Sequence, residues 1–237
     1  MESLIFSLGI CVGVPLLLLV AAATMAAHSE RDRRARVWQW AMTNGWQFQD
    51  GGSAPWINRL PGRSRRRLGI AVTGMLGGHW VTVAEYSYQT TSSSGDSTTT
   101  HTHRYIVVLV LLDRPHPWLA VQRRGLMSQF GRALFGDKPT ATGNVMFDAQ
   151  YQISAADASH AKAMISPPLI AAHIADAVPQ WTLQGNGLLG YFPAGKFNNP
   201  NLIPGYAGPL LHVADLLGPV DFAAPIDRRS PSRPADG

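Results

Sequence analysis

A run of 24 residues without a charge, Leu4 to Ala27 (LIFSLGICVGVPLLLLVAAATMAA), stands at the head of the chain and constrains everything that follows it. A helix rising about 1.5 Å per residue needs roughly 20 apolar residues to cross the hydrocarbon core of a bilayer, so the run predicts a single membrane span. Pro15 and the glycines at 9 and 13 weaken a helix in water and are tolerated in one surrounded by lipid. A cleaved signal peptide, leaving an exported domain, is the competing reading, and ATMAAHS offers small residues for a cut. The opening Met1-Glu2-Ser3 nevertheless lacks the basic residues of a signal n-region.

Charge orients the span. Arg31, Arg33, Arg34 and Arg36 follow it directly and nothing basic precedes it. Basic residues stay on the cytoplasmic side, so the N-terminus is expected outside and residues 28–237 inside, in a single-pass cell-membrane protein. The same arginines are placed to touch anionic headgroups, which makes the lipid bilayer the first expected partner.

After the span, ERDRRARVWQWAMTN (30–44) reads as a helix with Val37, Trp40 and Ala41 on one side and Asn44-Gly45 as its stop. GGSAPWINRLPGRSRRR is an irregular connection whose arginines, 59, 63, 65, 66 and 67, read as a solvated stretch. Arg63, Arg65, Arg66 and Arg67 are the second candidate contact for membrane or an unidentified protein partner. HWVTVAEYSY (79–88) and HTHRYIVVLVLL (101–112) read as two strands of an antiparallel hairpin, joined by a mobile polar tip over 89–100. The second is apolar on both faces from Ile106 to Leu112, as expected of a central strand. PWLAVQR (117–123) predicts a further strand, and NVMFDAQYQIS (144–154) another, with Val145, Phe147, Ala149, Tyr151 and Ile153 on one face. Asp157 and Ser166 cap two short helices, with Pro167 at the first position of the second. QWTLQGNGLLGYFPAG reads as a hairpin turned at Gly185-Asn186-Gly187, and YAGPLLHVADLLGPV (206–220) as an amphipathic helix. Strands followed by helices predict an α+β fold, with a mainly antiparallel sheet and packed helices behind an N-terminal transmembrane helix. The expected divisions are an anchor over 1–29, a juxtamembrane helix and Arg-rich connection over 30–67, the domain over 68–226 and a disordered tail over 227–237.

The span with its trailing arginines, WAMTNGWQF, HWVTVAEYSY, GNVMFDAQYQIS, SPPL and LQGNGLLGYFPAG come in an order that resembles membrane-anchored bacterial proteins of unknown function, common in actinobacteria. These are packing and turn motifs, so the resemblance implies location and architecture and carries over no functional residues.

The chemistry is sparse. Cys11 is the only cysteine, which excludes an intramolecular disulfide and a cysteine-built zinc site. The net charge of +5 comes almost wholly from clustered arginines rather than from a basic face interleaved with aromatics, so no nucleic-acid partner is expected. There is no G-x-S-x-G elbow and no phosphate loop. Asp148, Asp157 and Asp176 are isolated acids, and His160, His173 and His212 fall on predicted helices. His101 and His103 alternate along a strand and share a face, so they are candidate metal ligands if His79 or Glu85 joins them. Register parity decides. One parity sets Tyr88 opposite His101 and Tyr86 opposite His103; the other brings Glu85 opposite His103. The reading drawn from these residues is a binding or scaffolding domain with no catalytic residue and no cofactor. A membrane-tethered metal-dependent hydrolase using the histidine pair is the alternative.

Overall fold

The computed structural model describes residues 2–62, 66–95, 97–124 and 141–217, with the side chains of 2–19 outside the description. Helix α1, Glu2–Thr43, is continuous. Most side chains of the predicted span lie outside the described residues, and among those described no helix is long and apolar enough to cross a membrane. The helix ends where Asn44-Gly45 predicted. Gly45 takes φ 70°, its N–H donates to Met42, and the Trp46 N–H reaches back 2.8 Å to the Ala41 carbonyl. This closes the last turn and swings Trp46 onto Trp40.

The body is a six-stranded antiparallel sheet. Its strands are β1 Gln47–Asp50, β2 Arg67–Leu76, β3 His79–Ser94, β4 Ser97–Arg123, β5 Tyr151–Ala155 and β6 Trp181–Pro193. β4 is the spine: β6 pairs with one edge along most of its length, while β3 and then β5 share the other. The helices are α2 Val145–Gln150, α3 Ala158–Met164, α4 Pro167–Ile174 and α5 Ile203–Leu216. One face of the sheet, carrying Val81, Val83, Ile106, Val108 and Val110, is buried against the end of α1 and the C-terminal helices in the main core. The other face, with Tyr86, Val107 and Leu189, is covered among the described residues by the connection around Trp56, Ile57 and Leu60. The double-sided burial of β4 follows from its apolar run, as read from sequence.

Four local expectations change. The polar tip at 89–100 is not a loop, because the β3–β4 ladder continues to Ser94 opposite Ser97, with Thr91 meeting Thr100 through their hydroxyls. Threonine's branched side chain favours extended backbone, and cross-strand hydroxyl pairs sustain a ladder with nothing to bury. The separate strand expected at 117–123 is the far half of β4, beyond an irregular stretch where the pairing with β6 shifts between Leu111 and Leu119.

The strand expected at 144–154 is helix α2 followed by β5. The Asn144 side chain accepts from the Phe147 N–H at 3.0 Å, and Asp148 accepts from the backbone of Thr142 and Gly143. These caps outweigh the alternating pattern, leaving Val145 82% exposed. Finally, the stretch 180–195 holds one strand, β6 Trp181–Pro193, rather than a hairpin. Gly185, at φ 57°, absorbs the irregularity against β4 instead of reversing the chain. The caps predicted at Asp157 and Ser166 are both present, each accepting a backbone N–H. The tail over 227–237 lies outside the described residues.

Candidate functional site

The register of the long hairpin fixes which side chains stand opposite the two histidines. Tyr88 pairs with His103 and Thr90 with His101, the tyrosine parity, displaced by two residues from a register that sets Tyr88 opposite His101. Glu85 pairs with Ile106 and therefore points through the opposite face of the sheet. His79 lies at the other end of β3, its Nδ1 3.2 Å from the Leu111 carbonyl. His103 stacks on Tyr88 with ring centroids 4.7 Å apart, and its Nε2 meets the Thr90 hydroxyl at 3.0 Å. His101 is exposed. The set His101, His103 and Glu85 is not assembled, and among the described residues no group of three metal-ligating side chains is.

Glu85 instead anchors a buried ionic junction at the foot of α1. Arg33 is 6% exposed and Glu85 8%. The guanidinium grips the carboxylate with two hydrogen bonds, Nη1 to Oε1 at 2.5 Å and Nη2 to Oε2 at 3.2 Å. The Phe197 N–H donates to the same Oε1 at 2.6 Å. On the outer side of Arg33, Glu30 accepts from its Nη2 at 2.6 Å, from Arg34 and from Lys196. Glu30 is thereby held well below the ordinary carboxylate range, first through the Arg33 hydrogen bond. Arg34 closes the rim on Asp50 at 2.5 Å. Gly69 on β2 makes room for this: a Cβ there would lie 2.9 Å from both the Cβ and Oε2 of Glu85. The junction borders a polar pocket of about 370 Å³, which Arg67 and Arg104 also line.

Of the arginines assigned to membrane or partner contact, Arg33 is therefore corrected: it is taken up inside the domain. Carboxylates meet this enclosed guanidinium in bidentate geometry from two sides, Glu85 and Glu30. Arg31 and Arg36 are exposed on α1, Arg34 is half-engaged by Glu30 and Asp50, and Arg67 is exposed on β2. Arg66 folds back onto the Gly62 carbonyl and the Asn58 side chain. Arg63 and Arg65 lie outside the described residues.

Arg59, read as part of a solvated stretch, also turns inward. The short 3₁₀ turn Pro55–Arg59 lays Trp56 and Arg59 on one side, as the three-residue period dictates. Both line a cavity of about 560 Å³ on the sheet face opposite the main core. That i, i+3 spacing next to Pro55 was the available signal.

His173 is fully buried, accepts from the Trp181 indole N–H at 3.1 Å, and is pushed down to about 4, mainly by burial and then by Arg123.

No family model matches the chain, and no curated protein matches it. Among solved structures it is similar to the crystal structure of the mycobacterial trehalose monomycolate transport factor A, TtfA. The identity is 12% and the TM-score 0.48, over 80% of this chain and 98% of that one, a likeness that carries no argument about what this chain does.

Proposed function

We propose that this chain is a single-pass membrane protein, anchored by α1 with its N-terminus outside, whose cytoplasmic α+β domain is a binding module. It belongs on this reading with the membrane-anchored bacterial proteins its sequence resembles. The observation that carries the proposal is the change along α1 at Glu30. Residues 20–29 are exposed throughout, with Val20 54% and Met25 66% accessible, whereas Arg33, Val37 and Ala41 are buried in the domain. An uncovered apolar helix needs a partner, and the uncharged run continuing toward the N-terminus makes a bilayer the fitting one.

Fixing the domain to that helix through Arg33 and Glu85 gives it a set orientation at the membrane, with Arg31 and Arg36 facing headgroups. A binding rather than a hydrolytic role is supported by the state of Glu85, whose oxygens are already engaged by Arg33 and the Phe197 N–H. Alkaline carbonate extraction with N-terminal sequencing and protease protection of intact cells tests the reading. Full-length protein in the washed membrane, with its C-terminal domain protected, is expected. A shortened chain released outside would establish the exported alternative.

A further inference from the structure

Among the described residues, the Arg59 guanidinium that lines the cavity has no counter-charge. Its Nη2 donates to the Thr182 carbonyl at 2.5 Å, the Thr182 hydroxyl at 2.8 Å and the Gly187 carbonyl at 2.9 Å, all neutral acceptors. Its Nε is buried without a hydrogen-bond partner. Among the described residues no carboxylate pairs with it, although each of Arg33, Arg34 and Arg123 has one. Burial alone drags this guanidinium down to about 10, far above physiological pH, so it remains charged. The floor is laid by Leu109 and Leu111 of β4 and by Gly187 of β6, and Trp118 closes one side where β4 is irregular. Gly187 is part of the design of the wall. A Cβ there would come within 3.1 Å of Arg59 Nη1 and 3.2 Å of Leu109.

We infer that this cavity binds a small amphipathic carboxylate, its anionic end on Arg59 and its apolar body against Trp56, Trp118, Leu109 and Leu111. Three features converge on that class. The volume is that of a ligand pocket, within the usual range of roughly 300–1,000 Å³. The lining sets those apolar side chains beside neutral polar groups such as Asn58, Gln122, Ser154, Gln184 and Asn186, which can orient a ligand without supplying charge. Among the described residues the charged group of the lining is the Arg59 guanidinium, whose Nε has no partner, and a charge-assisted carboxylate contact is the interaction that satisfies a guanidinium best. The site lies on the opposite face of the sheet from the Arg33 junction, so it stands independently of how the chain is anchored.

The test is isothermal titration of the full chain, in neutral phosphatidylcholine nanodiscs, with 4-phenylbutyrate and separately with its uncharged amide, empty nanodiscs serving as blank. Saturable binding of the carboxylate is expected, at least tenfold tighter than of the amide, and weakened at least tenfold in Arg59→Gln. Leu111→Trp, which fills the cavity and keeps the cation, is expected to abolish binding with an unchanged thermal transition. This second variant carries the test if Arg59→Gln does not fold. Absence of saturable heat in the wild type, equal affinity for acid and amide, or undiminished binding in a folded variant of either kind would overturn the inference.

Discussion

Arg33 of α1 and Glu85 of β3, 52 residues apart in the chain, meet through two hydrogen bonds inside the domain, and the Phe197 N–H, 112 residues beyond Glu85, completes the carboxylate's shell. One buried ion pair therefore ties the helix leaving the domain, the central hairpin and the segment after β6. Removing one partner strands the other's charge away from water. Arg33→Met or Glu85→Leu alone is expected to cost about 3–5 kcal/mol in denaturant unfolding, whereas the double substitution recovers most of the loss. Additive losses in the double variant would contradict the pairing.

Gly69→Ala tests the same junction from beneath. The added methyl meets Glu85 at 2.9 Å, so Glu85 must leave Arg33 or β2 must move. A destabilisation of about 1–3 kcal/mol is expected in the same unfolding measurement. Combined with the Arg33→Met, Glu85→Leu pair, which lacks the carboxylate, the alanine is expected to cost less.

The buried His173 predicts acid sensitivity with a definite sign. Its folded value of about 4 lies below the ordinary 6.5, so the unfolded chain takes up a proton that the folded one refuses. Its contribution is fully present above pH 6.5 and is lost as pH falls from 6.5 toward 4, by at most on the order of 3 kcal/mol. His173→Gln is expected to flatten the stability profile over that window even if it lowers stability at neutral pH. An unchanged slope would show that other groups set it.

The hairpin histidines are expected to be dispensable for metal. His101→Ala with His103→Ala leaves zinc content of the purified full chain unchanged, and loss of the Tyr88 stack costs under about 1 kcal/mol. Equimolar zinc that disappears with the pair would restore the hydrolase reading.

Much of the fold was legible from local rules. The end of α1 at Asn44-Gly45, the Asp157 and Ser166 caps and the both-sides-apolar run of β4 depend on residues within a few positions of each other. The errors came where local signals competed. At 144–150 a period-two pattern lost to capping by Asn144 and Asp148, and at 185–187 a glycine-rich turn signal lost to pairing with β4. The candidate sites were far less legible: the spacing of Trp56 and Arg59 after Pro55 was a faint signal, and Arg33 within its basic cluster carries no mark of which way it points.

The sequence by itself determined an uncharged run of membrane length, a basic flank, strands of β-branched and aromatic residues, and, with a single cysteine, the exclusion of an intramolecular disulfide. Only the tertiary structure decided that Glu85 turns away from the histidines and that Arg33 and Arg59 go inside. Alternation assigns side chains to two faces of a strand, but the register between strands, fixed by long-range packing, chooses which face meets what. Charge also makes an arginine look solvent-bound until the fold supplies acceptors. Glu85 does so for Arg33, and the carbonyls of Thr182 and Gly187 do so for Arg59.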